Sequence, residues 1–188
     1  MDERIGDFPD LTALDAEVAI ELYPETFPVR WDLCGATADF FATYFSRLPR
    51  CGGDDDDILR AEVENAISYV LNEAVENAVK FQRGGTITVR VGVHEGALVF
   101  VVGNWIARAT ADALRPRLRE LIEGDAQEML LRRVEENAAN PAAGVSGLGF
   151  LTMITDYEAQ LGWRISAPEE QAERVFFRTM ARLPIHRT

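Results

Sequence analysis

The sequence predicts an α/β (α+β) two-layer sandwich, in which a mixed, mostly antiparallel sheet carries helices on one face. Strand-like apolar runs come in neighbouring pairs, which favours antiparallel hairpins. Between the hairpins lie helical segments with one apolar face each, as expected of a helix layer that packs on a sheet. With 188 residues, 47% of them hydrophobic, the chain can bury a core of its own. Residues 1–26 are predicted to be an N-terminal arm, and 27–188 a single domain.

The first half of this domain is predicted to contain one strand and two helices. Residues 27–34, "FPVRWDLC", alternate like a strand, and the aromatic residues of 36–48 recur at helical spacing. A longer helix is predicted over 58–81, ended by the glycines of "RGGT". The acidic run "CGGDDDD" at 51–57 favours the start of that helix over a metal site, because carboxylates stabilise a helix N-terminus.

The second half is predicted to hold two hairpins and three further helices. "TITVRVGV" and "ALVFVVGN" form strands joined by "HEG". Two polar helices then occupy 107–138, split near Gly124, and a loop of small residues spans 137–149. A helix over 150–161 is expected on the same face of the sheet as the two earlier helices. Two strands, "WRISAP" and "RVFFRTMARL", close the chain.

The charge of the chain restricts its partners. A formal net charge of −12 would repel the phosphates of nucleic acids and of anionic membranes, so neither is an expected partner. No apolar run is long enough to cross a bilayer, and the acidic N-terminus "MDERIGDFPD" is unlike a signal peptide. We therefore expect a cytoplasmic protein whose two cysteines, Cys34 and Cys51, are reduced thiols without a metal.

One stretch of the long helix, "LNEAVENAVKF", places three polar side chains in a line. Glu73, Asn77 and Lys80 are separated by four and three positions and fall within about 60° of each other on a helix. A solvated helix face is the commoner cause of such a pattern. The alternative is a ligand site, because a carboxylate and an amide can hold Mg²⁺ or orient a hydroxyl. Asn72 and Glu76, on the flank of this face, are expected to be solvated.

A second motif favours the ligand site. "GVSGLGF", residues 144–150, is a glycine loop that runs directly into a predicted helix. Gly147 and Gly149 would let backbone amides approach an anion closely, which is a common way to bind phosphate at a helix N-terminus. Either motif alone is weak, since loops of small residues are more often simple connections. The two are complementary, because amides can hold phosphates while the carboxylate and amide side chains hold a metal ion.

Together these motifs resemble those of the GHKL (Bergerat-fold) ATP-binding domains shared by histidine kinases, gyrase, Hsp90 and MutL. "NEAVENAVKF" resembles the N box of this family, and "GVSGLGF" resembles its second glycine box. The likeness is closer to the anti-sigma-factor and serine-kinase branch, of the SpoIIAB and SiaB type, which has an SEAVTNA-like helix and an SGMGF-like loop. It covers roughly residues 29–183 and implies the Bergerat ATPase fold, with 107–143 as a helical lid over a nucleotide.

The resemblance also implies roles for individual residues, with ATP and Mg²⁺ as cofactors. Asn77 would bind Mg²⁺ and bridge it to the triphosphate. Glu73 would be the catalytic residue, either as general base or as the group that orients the hydroxyl of a protein serine or threonine. Lys80 matches a position that helps to hold phosphate, and Asn104 stands where the adenine-binding Asp is expected. The other nucleotide-binding positions would be those of the glycine loop, namely Gly144, Ser146, Gly147, Leu148 and Gly149.

Two positions depart from the family pattern. Where the first glycine box has an Asp followed by glycines, this chain has "VVGNWIAR", with Asn104 in place of the Asp. An amide can still pair with adenine but lacks the charge, and Trp105 and Ile106 could narrow the pocket, although Trp105 could equally pack in the core. In the second box, Val145 lies where the kinases carry an Arg. Losing that Arg removes charge stabilisation at the terminal phosphate.

These observations leave three functions open. The first is a cytoplasmic signalling regulator, acting as an ATP-dependent serine/threonine protein kinase or anti-sigma-type switch on an anti-sigma-antagonist-like (STAS-like) partner. A sigma factor or a response regulator is another candidate partner. The second is a catalytically inactive, degenerate GHKL domain that sequesters a partner protein. The third is a purely structural module in a signalling complex. By the same resemblance, a homodimer could form through the N-terminal strand and helix.

Overall fold

A single antiparallel sheet with a layer of helices forms the body of the protein. The computed structural model describes residues 2–10, 14–24, 31–49, 57–139, 147–168 and 173–184, without the side chains of 31 and 32. The elements follow in the order β1 (Asp2–Gly6), β2 (Asp15–Leu22), α1 (Trp31–Phe45), α2 (Asp57–Phe81), β3 (Ile87–His94), β4 (Ala97–Ala107), α3 (Arg108–Glu123), α4 (Ala126–Ala139), α5 (Gly149–Tyr157), β5 (Gln160–Ser166) and β6 (Arg174–Pro184).

The strand order in the sheet is β1-β5-β6-β4-β3-β2. Every pairing between the described strands is antiparallel. Because the helices pack on one face of this sheet, the predicted two-layer fold is confirmed. β4 and β6 pair along their whole length in the middle of the sheet. The predicted hairpin of β3 and β4 turns at Glu95 and Gly96, both with positive φ, as a tight two-residue turn requires.

The main core lies between the helices and one face of the sheet. α1, α2 and α5, which were predicted as one layer, all contribute buried apolar residues to it. The buried residues of α2 recur at helical spacing, and those of β4 alternate along the strand, so each element supplies the period that its structure demands. Examples are Phe41 and Phe45 of α1, Leu71 and Val75 of α2, Met153 of α5, and Leu98, Phe100 and Val102 of β4.

The N-terminal segment supplies both edges of this sheet. β1 pairs with β5 at one edge and β2 pairs with β3 at the other. Between them, Asp7 and Phe8 lie on β5 and Leu14 lies on β3, on the face opposite the helices. We call the described residues of this connection, 7–10 and 14, the strap. Its two buried side chains close a second, smaller apolar cluster made of Phe8, Leu14, Val99, Val101 and Met180. β1 and β2, which lie within the segment 1–26 expected as an N-terminal arm, are thus strands of the sheet.

The strand predicted over 27–34 is wrong for the part that the structure describes. Residues 31–34 form the first turn of α1, while 27–30 lie outside the described residues. Cys34 is completely buried at helical spacing from Ala38 and Phe41, so the apolar face of the helix begins earlier than the aromatic residues alone suggested. Burial against α2 and the sheet thus decides the element, and the alternation in the sequence is incidental.

The helix predicted over 150–161 is shorter in the structure. α5 ends at Tyr157, because Glu158 adopts a left-handed conformation with φ 54° and caps the helix. Leu161, which fits the helical pattern, belongs to β5 and pairs with Ala181 of β6. The long helix, the split pair α3 and α4, and the closing strands β5 and β6 agree with the predictions within a few residues.

Candidate functional site

The polar line of α2 lies beside the side that α2 buries in the core. Ala74 and Ala78 are buried under the sheet side of the helix, while Glu73 and Asn77 are half-buried and Lys80 is exposed. A helix face that is only solvated would leave Glu73 and Asn77 as open to water as Lys80 is. Their partial burial shows that other elements pack over this face.

The two motifs meet across one cavity. Glu73, Asn77 and Lys80 line a cavity of about 250 Å³ that is bounded on its other side by Gly147 and Gly149. The structure therefore brings together two segments that are far apart in sequence. On the flank of the same helix, Asn72 donates a hydrogen bond of 2.8 Å to Glu76, so these two residues satisfy each other outside the cavity.

The closest approach between the motifs is the contact of Glu73 with Gly149. A Cβ at Gly149 would lie 2.8 Å from Cδ of Glu73, so any larger residue here would require the Glu73 carboxylate to move. The carboxylate of Glu73 accepts no hydrogen bond from the described residues. Burial raises the pKa of Glu73 above its usual value, and the neighbouring negative charge of Glu76 raises it further by a smaller amount. A half-buried carboxylate of this kind is suited to hold a cation or to accept a proton.

The N-terminus of α5 faces the same cavity without a capping side chain. Leu148, at the N-cap, makes no side-chain hydrogen bond to the first turn, and its carbonyl accepts from the amide of Thr152 at 2.8 Å. Gly147 has a φ of +79°, which favours glycine at this position. The free amides of a first helical turn attract anions. Of the other glycine-loop predictions, Gly144 and Ser146 lie outside the described residues.

The opposite wall of the cavity comes from α3 and α4, in the region predicted as a lid. Arg117 of α3 and Arg133 of α4 line it together with Lys80, and the acidic residues of the lining are Glu73 and Glu120. Sequence reasoning missed both arginines. α3 carries arginines at positions 115, 117 and 119, and only the packing of the helix determines which of them faces the cavity.

α3 is fixed to the sheet rather than loose. Glu3 of β1 accepts a hydrogen bond of 2.7 Å from Nε of Arg115 and one of 3.0 Å from Nη2 of Arg119. Glu3 is 16% exposed, so this pairing is partly protected from water. The two arginines therefore hold the helix against β1, while Arg117, between them, is directed to the cavity.

A second, smaller cavity adjoins the first on the side of the sheet. It has a volume of only about 30 Å³, and it is lined mostly by apolar side chains, including Leu114 and Leu118 of α3. Asn104 is buried at its edge and donates a hydrogen bond of 2.9 Å from Nδ2 to the carbonyl of Ala78. Ligand pockets usually measure about 300 Å³ or more, so α3 leaves no room here for a purine ring.

The region of the first glycine box is a strand rather than a loop. β4 continues past Asn104 to Ala107 and remains paired with β6 over this stretch. α3 begins at the next residue, so no loop separates the two elements. By alternation, Ile106 faces the helices and lines the small cavity. Trp105 points to the other face, where its ring lies 5.2 Å from that of Phe176. Of the two residues that could narrow the pocket, only Ile106 does so.

The fold and the cavity define the class of protein that this chain resembles, a two-layer α/β domain with a lidded site between its long helix and a glycine loop. No protein-family model matches the sequence, and no curated protein matches it significantly. Among solved structures, a chain of the SiaB-SiaC complex from Pseudomonas aeruginosa matches with a TM-score of 0.60 and 17% identity, over 88% of this chain and 89% of that chain. At this identity the likeness shows a shared fold.

Two further observations concern membranes and metals. No helix among the described residues is long and apolar enough to span a bilayer. Within the same residues, no group of three or more His, Cys, Asp or Glu side chains could hold a metal ion. A cation held by the Asn77 side-chain oxygen would need water and phosphate as its other ligands, which is a coordination that Mg²⁺ commonly adopts.

Proposed function

We propose that this chain is a signalling regulator that binds Mg-ATP between α2 and α5 and transfers the γ-phosphate to a serine or threonine of a regulatory protein. The observation that carries the proposal is that Glu73 and Asn77 line the same cavity as Gly147 and Gly149. The likeness in fold to a chain solved in the SiaB-SiaC complex supports a protein partner, because that chain was solved together with another protein. An anti-sigma-antagonist-like partner is the one that we favour.

The residues of the cavity suit this reaction. The Asn77 carbonyl would hold Mg²⁺, and the amides at the start of α5, with Lys80, would hold the phosphates. The partner's hydroxyl oxygen would attack the γ-phosphorus, and the bond from this phosphorus to the β–γ bridging oxygen would break, releasing ADP. The hydroxyl proton would pass to the carboxylate of Glu73, whose raised pKa makes it a better proton acceptor than an exposed carboxylate.

A specific observation favours a second candidate, a catalytically inactive domain that sequesters its partner. Leu114 and Leu118 of α3 fill the apolar end of the site, and Asn104 uses its amide nitrogen on the backbone of α2. Adenine would have to displace α3 before it could enter. The valine at position 145, in place of an Arg, argues in the same direction.

Binding of Mg-ATP separates a nucleotide-dependent regulator from a purely structural module. We expect calorimetry to detect binding to the wild-type protein and at least about tenfold weaker binding to Asn77→Ala, because the variant loses a metal ligand. Asn72→Ala is the matched control, since Asn72 lies on the same helix but pairs with Glu76 outside the cavity. Absence of binding to the wild-type protein would rule out the nucleotide role.

Phosphate transfer separates the kinase from the sequestering module. The wild-type protein with γ-labelled ATP should label a co-purified partner, and Glu73→Ala should abolish the labelling without releasing the partner. Glu62→Ala is the control, because Glu62 is exposed on the same helix and lies outside the cavity lining. A stable complex with the partner that binds ATP but never transfers phosphate would establish the second candidate instead.

A further inference from the structure

We propose that Arg117 and Arg133 of the lid helices bind the phosphates of the ligand, so that the site selects a polyphosphate chain rather than a base. This inference rests on the proposed function, because it concerns the ligand of the same cavity. It adds two specificity-determining residues that neither motif contains. It also gives α3 and α4 a direct chemical role in binding.

The first support is the charge in the cavity. The chain has a net charge of −12, yet the lining contains three cations, Lys80, Arg117 and Arg133, against the two carboxylates of Glu73 and Glu120. Within the described residues, neither Lys80 nor Arg117 forms an ion pair with a carboxylate. A surplus of positive charge in one cavity of an acidic protein attracts anions to that cavity.

The second support is the position of Arg133. It pairs only with Glu136, one turn along its own helix at 3.0 Å, and both side chains are about half exposed. Such an exposed pair contributes little and exchanges easily for a stronger partner. A Cβ at Gly147 would lie 3.5 Å from Nε of Arg133, so the guanidinium reaches the glycine loop where α5 begins. Guanidinium and uncapped helix amides thus converge on one spot, as in phosphate sites.

The third support is the contrast between the two ends of the site. The charged end offers about 250 Å³, whereas the apolar end offers about 30 Å³. A phosphate chain can enter the first without displacing a side chain. A base can enter the second only if Leu114 and Leu118 move, which costs core packing. Affinity should therefore depend on the number of phosphates more than on the identity of the base.

The test compares Mg-ATP, Mg-tripolyphosphate and adenosine as ligands by calorimetry. Mg-tripolyphosphate should displace Mg-ATP from the wild-type protein, and adenosine should not. The double variant Arg117→Gln/Arg133→Gln should bind Mg-ATP on the order of 100-fold more weakly, about tenfold for each charge-assisted contact. Thermal unfolding checks that the double variant is folded.

A charge-matched control separates local contacts from net charge. Removing two arginines elsewhere takes away the same charge: Arg60 pairs with Asp57 at the start of α2. Because Arg119 helps to hold α3, the control is run with Arg182→Gln in place of Arg119→Gln, since Arg182 pairs with Glu95 away from the cavity. The resulting Arg60→Gln/Arg182→Gln variant should bind Mg-ATP within about threefold of wild type. Equal weakening in both double variants would overturn the inference.

The outcomes also distinguish this inference from the proposed function. If the wild-type protein binds Mg-ATP and the Arg117→Gln/Arg133→Gln variant binds it equally well, the lid arginines have no such role, while the proposed function stands. If the wild-type protein binds neither Mg-ATP nor Mg-tripolyphosphate, both ideas fail together. Displacement of Mg-ATP by adenosine but not by Mg-tripolyphosphate would also overturn the inference, because the base would then dominate recognition.

Discussion

At the scale of single residues, the contact of Glu73 with Gly149 joins the long helix to the glycine loop. The carboxylate lies where any Cβ at position 149 would be, so the two positions are coupled sterically. Glu73 is half-buried at this contact, and among the described residues it forms no ion pair. Two predictions follow from these facts, one steric and one electrostatic.

Gly149→Ala should be less stabilising in the wild-type protein than in a Glu73→Ala background, by about 0.5–1 kcal/mol, because the new methyl group displaces the flexible end of the Glu73 side chain. In a Glu73→Ala background the same change should be neutral or stabilising, since alanine favours a helix over glycine by about 1 kcal/mol. Urea unfolding of the four proteins gives the coupling free energy. Additive effects would contradict the contact between the two residues.

Glu73→Gln should stabilise the protein at pH 7 and have little effect in acid. Because the pKa of Glu73 is raised in the folded state, the folded protein binds this proton more tightly than the unfolded chain does. Stability therefore falls as pH rises from the unfolded value near 4.5 through the higher folded value. The glutamine variant lacks this loss. The measurement is the free energy of unfolding of both proteins from pH 4 to pH 8. A difference between them that stays constant across this range would contradict the raised pKa.

At the scale of elements, the strap ties the two edges of the sheet together. A Cβ at Gly92 would lie 2.6 Å from Cβ of Leu14, and one at Gly162 would overlap with the backbone of Asp7. The strap therefore lies directly on β3 and β5, over glycines that leave room for it. Phe8 and Leu14 of the strap cover the sheet residues Val99, Val101 and Met180 and complete the second cluster.

Phe8→Ala should cost about 3–5 kcal/mol of unfolding free energy, because Phe8 is 7% exposed and closes the smaller cluster. The matched control is Phe40→Ala, since Phe40 is 52% exposed on α1. We expect the control to cost less than about 1 kcal/mol. Chemical denaturation of the wild-type protein and the two variants measures these free energies of unfolding. Equal costs for the two changes would show that the strap does not pack on the sheet.

The end of β4 shows why the length of one strand could not be predicted from the sequence. The strand "ALVFVVGN" was predicted to end at Asn104, but Trp105 and Ile106 favour extended backbone where the family has glycines, and β4 continues through them. The register with β6 then continues as far as Ala107. The strand propensity of Trp105 and Ile106 was visible in the sequence. The strand β6 with which they pair, and which makes this propensity decisive, lies about seventy residues further along the chain.

At the scale of the whole molecule, α3 decides how large the site is. It follows β4 directly, is held to β1 through Glu3, and places Leu114 and Leu118 over the apolar end of the cavity. The lid predicted over 107–143 is thus, in its described part, a packed pair of helices. Entry of a base requires this packing to loosen.

Leu118→Ala should lower the unfolding free energy by about 2–4 kcal/mol, because Leu118 is 2% exposed, and should enlarge the apolar end of the site. The affinity for Mg-ATP should rise relative to that for Mg-tripolyphosphate. Leu131→Ala, at a side chain that is 62% exposed on α4, should change neither quantity. An unchanged ratio of the two affinities in Leu118→Ala would show that α3 does not exclude the base.

The sequence by itself determined the local features: the helices and hairpins, the line of Glu73, Asn77 and Lys80, and the glycines of the loop at 144–150. These follow from periodicity, turn chemistry and motif spacing, all of which act over a few residues. The tertiary structure alone decided that Arg117 and Arg133 face the cavity, that α3 closes its apolar end, and that β1 and β2 complete the sheet. Each of these depends on free energy gained between distant segments, which no local pattern encodes.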